Sequence, residues 1–369
     1  MFTLSDRPIE YRSDSRHQPP RAVCERRTAS AEQVLRDARN GTATVWRGDY
    51  HQAKQVLSAV KKRLSRKPHA NQEIPPDPAA VFHRHRLHQS QNSRLANMLL
   101  VEIGTDFALD LPRAPDVAAA LAQVYGADGA QAPFLLPLNR LLGFIGAWQW
   151  QQKGVEVAEL GGWVHVPFGV FSPVRGEYLS LLWHAPLPEN CRSALDIGTG
   201  SGVLALLLAR RGIGRIAATD NNPRAVACAR ANIDRFGLAN QITVYETDLF
   251  PPESADLIVC NPPWLPVRPT SDVETALYDP DHAMLDALLH GAAAHLNTGG
   301  ELWLILSDLA EHLGLREHGS LPQRFQAAGW QIVGQHHTQP QHGKARAADD
   351  ALAFARMRER TTLYRLQAA

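Results

Sequence analysis

Cysteine is scarce and scattered in this chain of 369 residues: four residues, Cys24, Cys191, Cys228 and Cys260, with no C-x-x-C spacing. That usage predicts reduced thiols and a cytoplasmic protein rather than a disulfide framework. Long apolar runs are also missing. Nothing approaches the roughly 18 successive apolar residues needed to cross a bilayer, so no membrane partner is expected. The N-terminal stretch M-F-T-L-S-D-R-P-I-E-Y-R has early acids and no apolar signal region, which predicts no secretion leader. Metal ligands in usable spacing are absent too. H-R-H-R-L-H at His83 to His88 puts His83 and His85 on different faces of a helix, and no cysteine or carboxylate completes a set, so no metal is expected. Net charge is close to nil at +1, but it is unevenly spread. Residues 1–90 hold 17 Lys and Arg against 9 Asp and Glu, and the remainder holds 21 against 28. A basic front half fits either a solvated arm or contact with nucleic acid or the ribosome.

What is present suffices for two domains: 44% of the residues are apolar. Residues 1–28, polar and broken by Pro19-Pro20, read as a poorly ordered basic arm. Residues 29–152 read as a small helical recognition domain. Helices are expected from Ser30 to Gly41, Tyr50 to Arg66, Pro78 to Leu100, Pro115 to Tyr125 and Pro137 to Trp150. In the second of these, Ala53, Val56, Leu57, Val60 and Leu64 line one face, and Lys54, Lys61, Lys62, Arg63 and Arg66 crowd the other. Residues 153–172 read as a hairpin linker, Gly154 to Leu160 and Trp163 to Val170 joined at Gly161-Gly162. Residues 173–369 then alternate strand and helix, with final strands at Gln331 to His336 and Thr362 to Leu366 around a long polar insertion (338–360). The fold expected is α/β, a mostly parallel, doubly wound, Rossmann-like sheet of seven strands.

The chain is organised around S-A-L-D-I-G-T-G-S-G, residues 193–202. A short apolar strand ends in three alternate glycines, Gly198, Gly200 and Gly202, and an apolar helix follows. Glycines let backbone approach a ligand closely, and a helix start offers unpaired N–H groups and partial positive charge. This is a cradle for a nucleotide-like ligand, with Asp196 as its fixed negative group. The spacing is G-x-G-x-G, whereas the pyrophosphate-binding turn of nicotinamide enzymes needs its third glycine one place later. Asp220, 22 residues beyond Gly198, closes the next strand and can accept the ribose hydroxyls of either cofactor. Asp248, at a third strand end, is placed to meet an adenine amine, with Leu249 and Phe250 as apolar neighbours.

The run D-I-G-T-G-S-G, T-D-N-N-P-R-A, T-D-L-F and N-P-P-W, taken in order from about Phe168 to Leu306, resembles the successive motifs of class I adenosylmethionine-dependent methyltransferases. Within these it is similar to the small-domain methyltransferases and to the HemK-type protein-glutamine N5-methyltransferases. The resemblance implies S-adenosylmethionine as cofactor, with Gly198, Gly200 and Gly202 at its methionine end, Asp220 on the ribose, and Asp248 and Leu249 at the adenine. Asp196, Thr199, Asn221 and Asn261 complete the expected cofactor-binding set. F-S-P-V-R-G-E-Y departs from the HemK entry motif, and its G-V-F-S portion is similar to ribosomal-RNA guanine N2-methyltransferases.

Asn261, Pro262, Pro263 and Trp264 form the expected catalytic set. A planar NH2 group has a delocalised lone pair that must be turned toward a sulfonium methyl. The Asn261 oxygen can accept one of its N–H groups and the Pro262 carbonyl the other, on a loop that two prolines stiffen. Trp264, where the HemK group has tyrosine, can stack on a flat substrate. Arg175, Glu177, Arg268 and Asp279 are weaker candidates. The expected reaction is N-methylation of a macromolecule of the translation machinery, presented by the front domain. The acceptor is a protein glutamine, with a nucleobase amine of RNA or DNA as the alternative. A non-catalytic cofactor-binding protein is the third reading.

Overall fold

The structure is a computed structural model, and it describes all residues except 5–6, 14–16, 66–72, 175, 270–276 and 340–349. The chain divides into two compact units, Met1–Pro68 with His83–Gln152, and His69–Phe82 with Lys153–Ala369.

The first unit differs from the expected helical domain behind a disordered arm. It carries a six-stranded sheet, and three of the strands lie within residues 1–28: β1 (Phe2–Leu4), β2 (Arg7–Tyr11) and β3 (Ala22–Arg26). Then come α1 (Ala31–Arg39), β4 (Thr42–Trp46), α2 (Tyr50–Leu64), α3 (Pro78–Ala96), β5 (Leu99–Ile103), α4 (Ala118–Tyr125), β6 (Phe134–Pro137) and α5 (Leu138–Lys153). The strand order is β1-β2-β6-β5-β4-β3. All six strands missed from the sequence are short, and the central three, β4 to β6, are almost wholly buried. Val45, Leu99, Leu100, Phe134 and Leu135 are fully sequestered, so their runs show no alternation to separate them from a helix. The helices themselves follow their local chemistry. Ser30 and Asp49 cap α1 and α2 by accepting the backbone N–H of Gln33 and Gln52.

The main stretch of the second unit, Lys153–Ala369, begins with the hairpin, shorter than expected. β7 (Val155–Val157) pairs antiparallel with β8 (Gly162–Val164) across a single turn at Ala158–Leu160. There follow α6 (Glu177–His184), β9 (Ser193–Ile197), α7 (Val203–Arg210), β10 (Arg215–Asp220), α8 (Pro223–Arg235), β11 (Ile242–Glu246), β12 (Ala255–Cys260), α9 (Ala283–Gly291) and β13 (Leu296–Ser307). The chain ends in α10 (Leu309–His312), α11 (Ser320–Ala327), β14 (Trp330–Thr338), α12 (Ala353–Arg356) and β15 (Thr361–Ala368). The seven strands lie in the order β11-β10-β9-β12-β13-β15-β14. The first five run parallel and β15 is antiparallel to both its neighbours. This is the α/β, doubly wound sheet expected from the strand–helix alternation, with apolar cores on both faces. α7 is buried along its whole length from Val203 to Ala209, which explains why its sequence is apolar on every side. The segment read as a polar insertion is more than that. Leu352, Phe354 and Ala355 return to a core with Phe82 and Leu313.

Chain order reverses between β9 and β12, which are neighbours in the sheet. In open α/β sheets the crevice beyond the carboxyl ends of strands at such a reversal is where ligands bind.

Candidate functional site

Two loops meet at that reversal. Ile197, the last residue of β9, pairs with Cys260, the last of β12. The glycine turn therefore leaves the sheet beside Asn261 to Trp264. Residues 203–260 separate the two motifs in sequence, and the pairing of adjacent strands brings them together.

The glycine turn is fixed from below. Asp196 is completely buried. Its Oδ2 accepts the Thr199 hydroxyl at 2.6 Å and the backbone N–H of Ala205, in the first turn of α7, at 3.0 Å. Its Oδ1 is buried with no hydrogen-bond partner. Burial pushes the carboxyl up to about 6, against the pull of those two hydrogen bonds. Asp196 is thus a brace inside the turn as well as a negative group. A buried carboxylate oxygen left unpaired is costly. Gly198, Gly200 and Gly202 all have positive φ (69°, 55° and 81°). A side chain at Gly202 would run into Ala229 of α8, at 3.2 Å from its Cα, whereas Gly200 faces open space. The turn is pressed against the protein at one glycine and open at another, as a cradle requires.

Asp220 ends β10 and serves the turn directly. Its Oδ2 accepts the N–H of Gly200 and its Oδ1 that of Asn222, both at 2.9 Å. Burial raises its carboxyl above the usual range. Each oxygen keeps acceptor capacity for a ligand hydroxyl. The structure sets Asn221 beside Asp248, whose Oδ1 accepts the Asn221 amide at 3.3 Å, and Asp248 is exposed at the rim. Leu249 follows with a left-handed backbone, φ 54°. Phe250 does not face the crevice as a free ring: it stacks on His295, with centroids 4.5 Å apart and planes 4° from parallel.

Two residues given no role in the sequence reading hold these loops, Thr219 at the head of T-D-N-N-P-R-A and Asn232 outside every motif. Thr219 accepts the N–H of Thr199 on its carbonyl and donates its hydroxyl to the carbonyl of Leu249 at 2.6 Å, so it links two loops. Asn232 of α8 donates to the carbonyl of Ser201 at 2.9 Å and accepts the N–H of His165. The one clue in sequence was a polar residue among the buried positions of that helix, Cys228, Ala229 and Ile233.

Beyond β12, Pro262 is buried and Asn261, Pro263 and Trp264 are half-buried. The indole Nε1 of Trp264 lies 3.0 Å from Asn261 Oδ1 and 3.1 Å from the Ile305 carbonyl oxygen. The ring packs against the cores on both faces of the sheet, so it is anchored, which stacking on a substrate did not anticipate. Cys260 beside it is fully buried, and burial holds its thiol well above the ordinary value. Asp279 accepts the backbone N–H groups of Met284 and Leu285 at the start of α9, and Met284 approaches Gly198. Asp279 therefore caps a helix bordering the turn. Glu177 opens α6, Arg268 is exposed, and Arg175 lies outside the described residues. Among the described residues no cluster of histidine, cysteine and carboxylate fit to hold a metal occurs, and no helix is long and apolar enough to cross a membrane.

Residues 161–329 match the family model described as Methyltransferase small domain. A release factor glutamine methyltransferase of Cereibacter sphaeroides is 35% identical over 163 residues, 38% of this chain and 59% of that protein. One of Deinococcus radiodurans is 38% identical over 168 residues, 41% of this chain and 57% of that protein. A tRNA1(Val) (adenine(37)-N6)-methyltransferase of Parabacteroides distasonis is 43% identical over 81 residues, 21% of this chain and 34% of that protein. The chain thus spans less than two thirds of each of these relatives.

Proposed function

We propose that this chain is an adenosylmethionine-dependent N-methyltransferase, and that its acceptor is a glutamine side-chain amide of a translation protein. The observation that carries the reading is the pairing of Ile197 with Cys260, which sets the glycine turn and Asn261 side by side at the sheet reversal.

The residues present fit the cofactor. The open side of Gly200 gives it room, Asp196 Oδ1 offers a buried acceptor at the methionine end, and the spare acceptor positions of Asp220 suit two ribose hydroxyls. Asp248 and Leu249 stand at the adenine end. When bound, adenosylmethionine supplies a methyl carbon on a positively charged sulfur. Asn261 Oδ1 and the Pro262 carbonyl each accept one N–H of the planar acceptor and turn its lone pair toward that carbon. Transfer of that methyl to the acceptor nitrogen would break the S–C bond with its electron pair left on sulfur, as a neutral thioether. The methylated nitrogen then releases a proton to water, so no strong base is needed. Positioning of this kind supplies up to about 7–11 kcal/mol in favourable cases.

The choice of a protein glutamine rests on the names of the relatives that align over the longest stretches. A nucleobase amine is the second reading, favoured by the basic balance of residues 1–90 and by the tRNA-adenine relative. The test is tritiated adenosylmethionine added with the purified chain to extract from cells lacking it, followed by protease or ribonuclease. Label that survives ribonuclease and is lost to protease is expected. The reverse pattern would establish the nucleobase reading, and label on neither polymer would remove a macromolecular acceptor altogether.

A further inference from the structure

We propose that Trp264 is a positioning residue: its indole N–H fixes the Asn261 carboxamide with the oxygen toward the acceptor, an assignment that rests on the N-methyltransferase reading above. An indole nitrogen carries one hydrogen and no lone pair to offer, so it can only donate. The atom of Asn261 that meets it at 3.0 Å is therefore the oxygen. That contact settles which way the amide faces.

The hold on Trp264 is itself rigid. The same N–H reaches the Ile305 carbonyl at 3.1 Å. Ile305 lies in β13 next to Leu304, which pairs with Cys260 of β12. The indole ring is wedged against core residues on both sides of the sheet. The sheet thus locates the Ile305 carbonyl and the core locates the ring, and the N–H shared between two acceptors locates Asn261 Oδ1. An amide oxygen accepts two hydrogen bonds, so one position remains for the substrate N–H.

Without that N–H, the Asn261 amide is free to turn over and point Nδ2 at the acceptor. A donor would then face the NH2 group that needs an acceptor, and the lone pair would lose its orientation. The ring need not touch the substrate for this effect. Its role differs from stacking, because stacking depends on the ring face and positioning depends on one hydrogen.

Replacing Trp264 in the full chain by 3-benzothienylalanine separates the two, since this analogue keeps the fused rings and puts sulfur where the N–H was. The side-chain NH2 resonances of Asn261, assigned in ¹⁵N-labelled protein by their loss in Asn261→Ala, are expected to shift or broaden. Adenosylhomocysteine affinity should stay within about twofold, as expected if no cofactor contact is lost. Turnover on the tritium-labelled polymer should fall by about 100-fold, the scale of a misplaced reacting group, with KM for adenosylmethionine unchanged. Wild-type turnover in the analogue protein, or unmoved Asn261 resonances, would overturn the proposal. If the unmodified chain labels nothing, the methyltransferase reading fails, and the Asn261 resonances alone decide whether Trp264 orients the amide.

Discussion

Asn261→Ala is expected to lower turnover by about 10²–10³-fold, the effect of removing one preorganised polar group from a reacting centre. Adenosylhomocysteine affinity should change by no more than about twofold, because the side chain is proposed to act on the acceptor and hardly on the cofactor. The variant removes the one side-chain oxygen at the junction of β12 and the proline pair, and it leaves the Trp264 N–H its second acceptor, the Ile305 carbonyl. The fold should therefore survive. Asn261→Asp keeps an acceptor oxygen in the same place and should retain more turnover than the alanine variant. Single-turnover transfer to the labelled polymer, with cofactor affinity measured separately, checks both. Normal transfer by Asn261→Ala would remove the two-acceptor mechanism.

Asp220→Ala should act on the other half of the reaction. It is expected to weaken adenosylhomocysteine binding by about 10–150-fold, the equivalent of losing charged hydrogen bonds worth about 1.5–3 kcal/mol. Two losses combine. The ribose hydroxyls lose their acceptor, and the N–H groups of Gly200 and Asn222, each now 2.9 Å from a carboxylate oxygen, are left without it. The second loss loosens the turn even in the absence of ligand, so the melting temperature should fall as well. Asp220→Asn retains one carbonyl oxygen and should fall between the alanine variant and the parent. Titration calorimetry and thermal unfolding read the two effects separately. Unchanged affinity in Asp220→Ala would place the ribose elsewhere.

The second unit was legible because its signals are local. Gly198, Gly200 and Gly202 each stand where φ is positive, Asn222 and Pro223 open α8 as cap and first residue, and Gly237 follows its end with φ 68°. In the first unit the helices were legible and the strands were not: β1 to β3 are short pieces in a polar, proline-broken stretch, and the central strands are buried on both faces. Thr42–Trp46 and Phe134–Pro137 hide nearly every side chain, and such runs carry no period of two. Leu99 and Leu100 extended an expected helix for the same reason, although the helix stops at Ala96. Within the site, residue types were readable and partners were not. That Trp264 meets the Ile305 carbonyl depends on the register of β12 against β13, which no motif encodes. Asp196 was read as a charge in the cradle, but its burial and its bonds to Thr199 and Ala205 come from a turn folding back on the strand that precedes it.

The most direct measurement of the central claim is titration calorimetry of the purified chain with adenosylhomocysteine and, separately, with NAD. The glycine spacing, the cradle open at Gly200 and the remaining acceptor capacity of Asp196 and Asp220 together predict one adenosylhomocysteine bound per chain, and no heat with NAD at the same concentrations. Saturable NAD binding with no response to adenosylhomocysteine would contradict the account at its root.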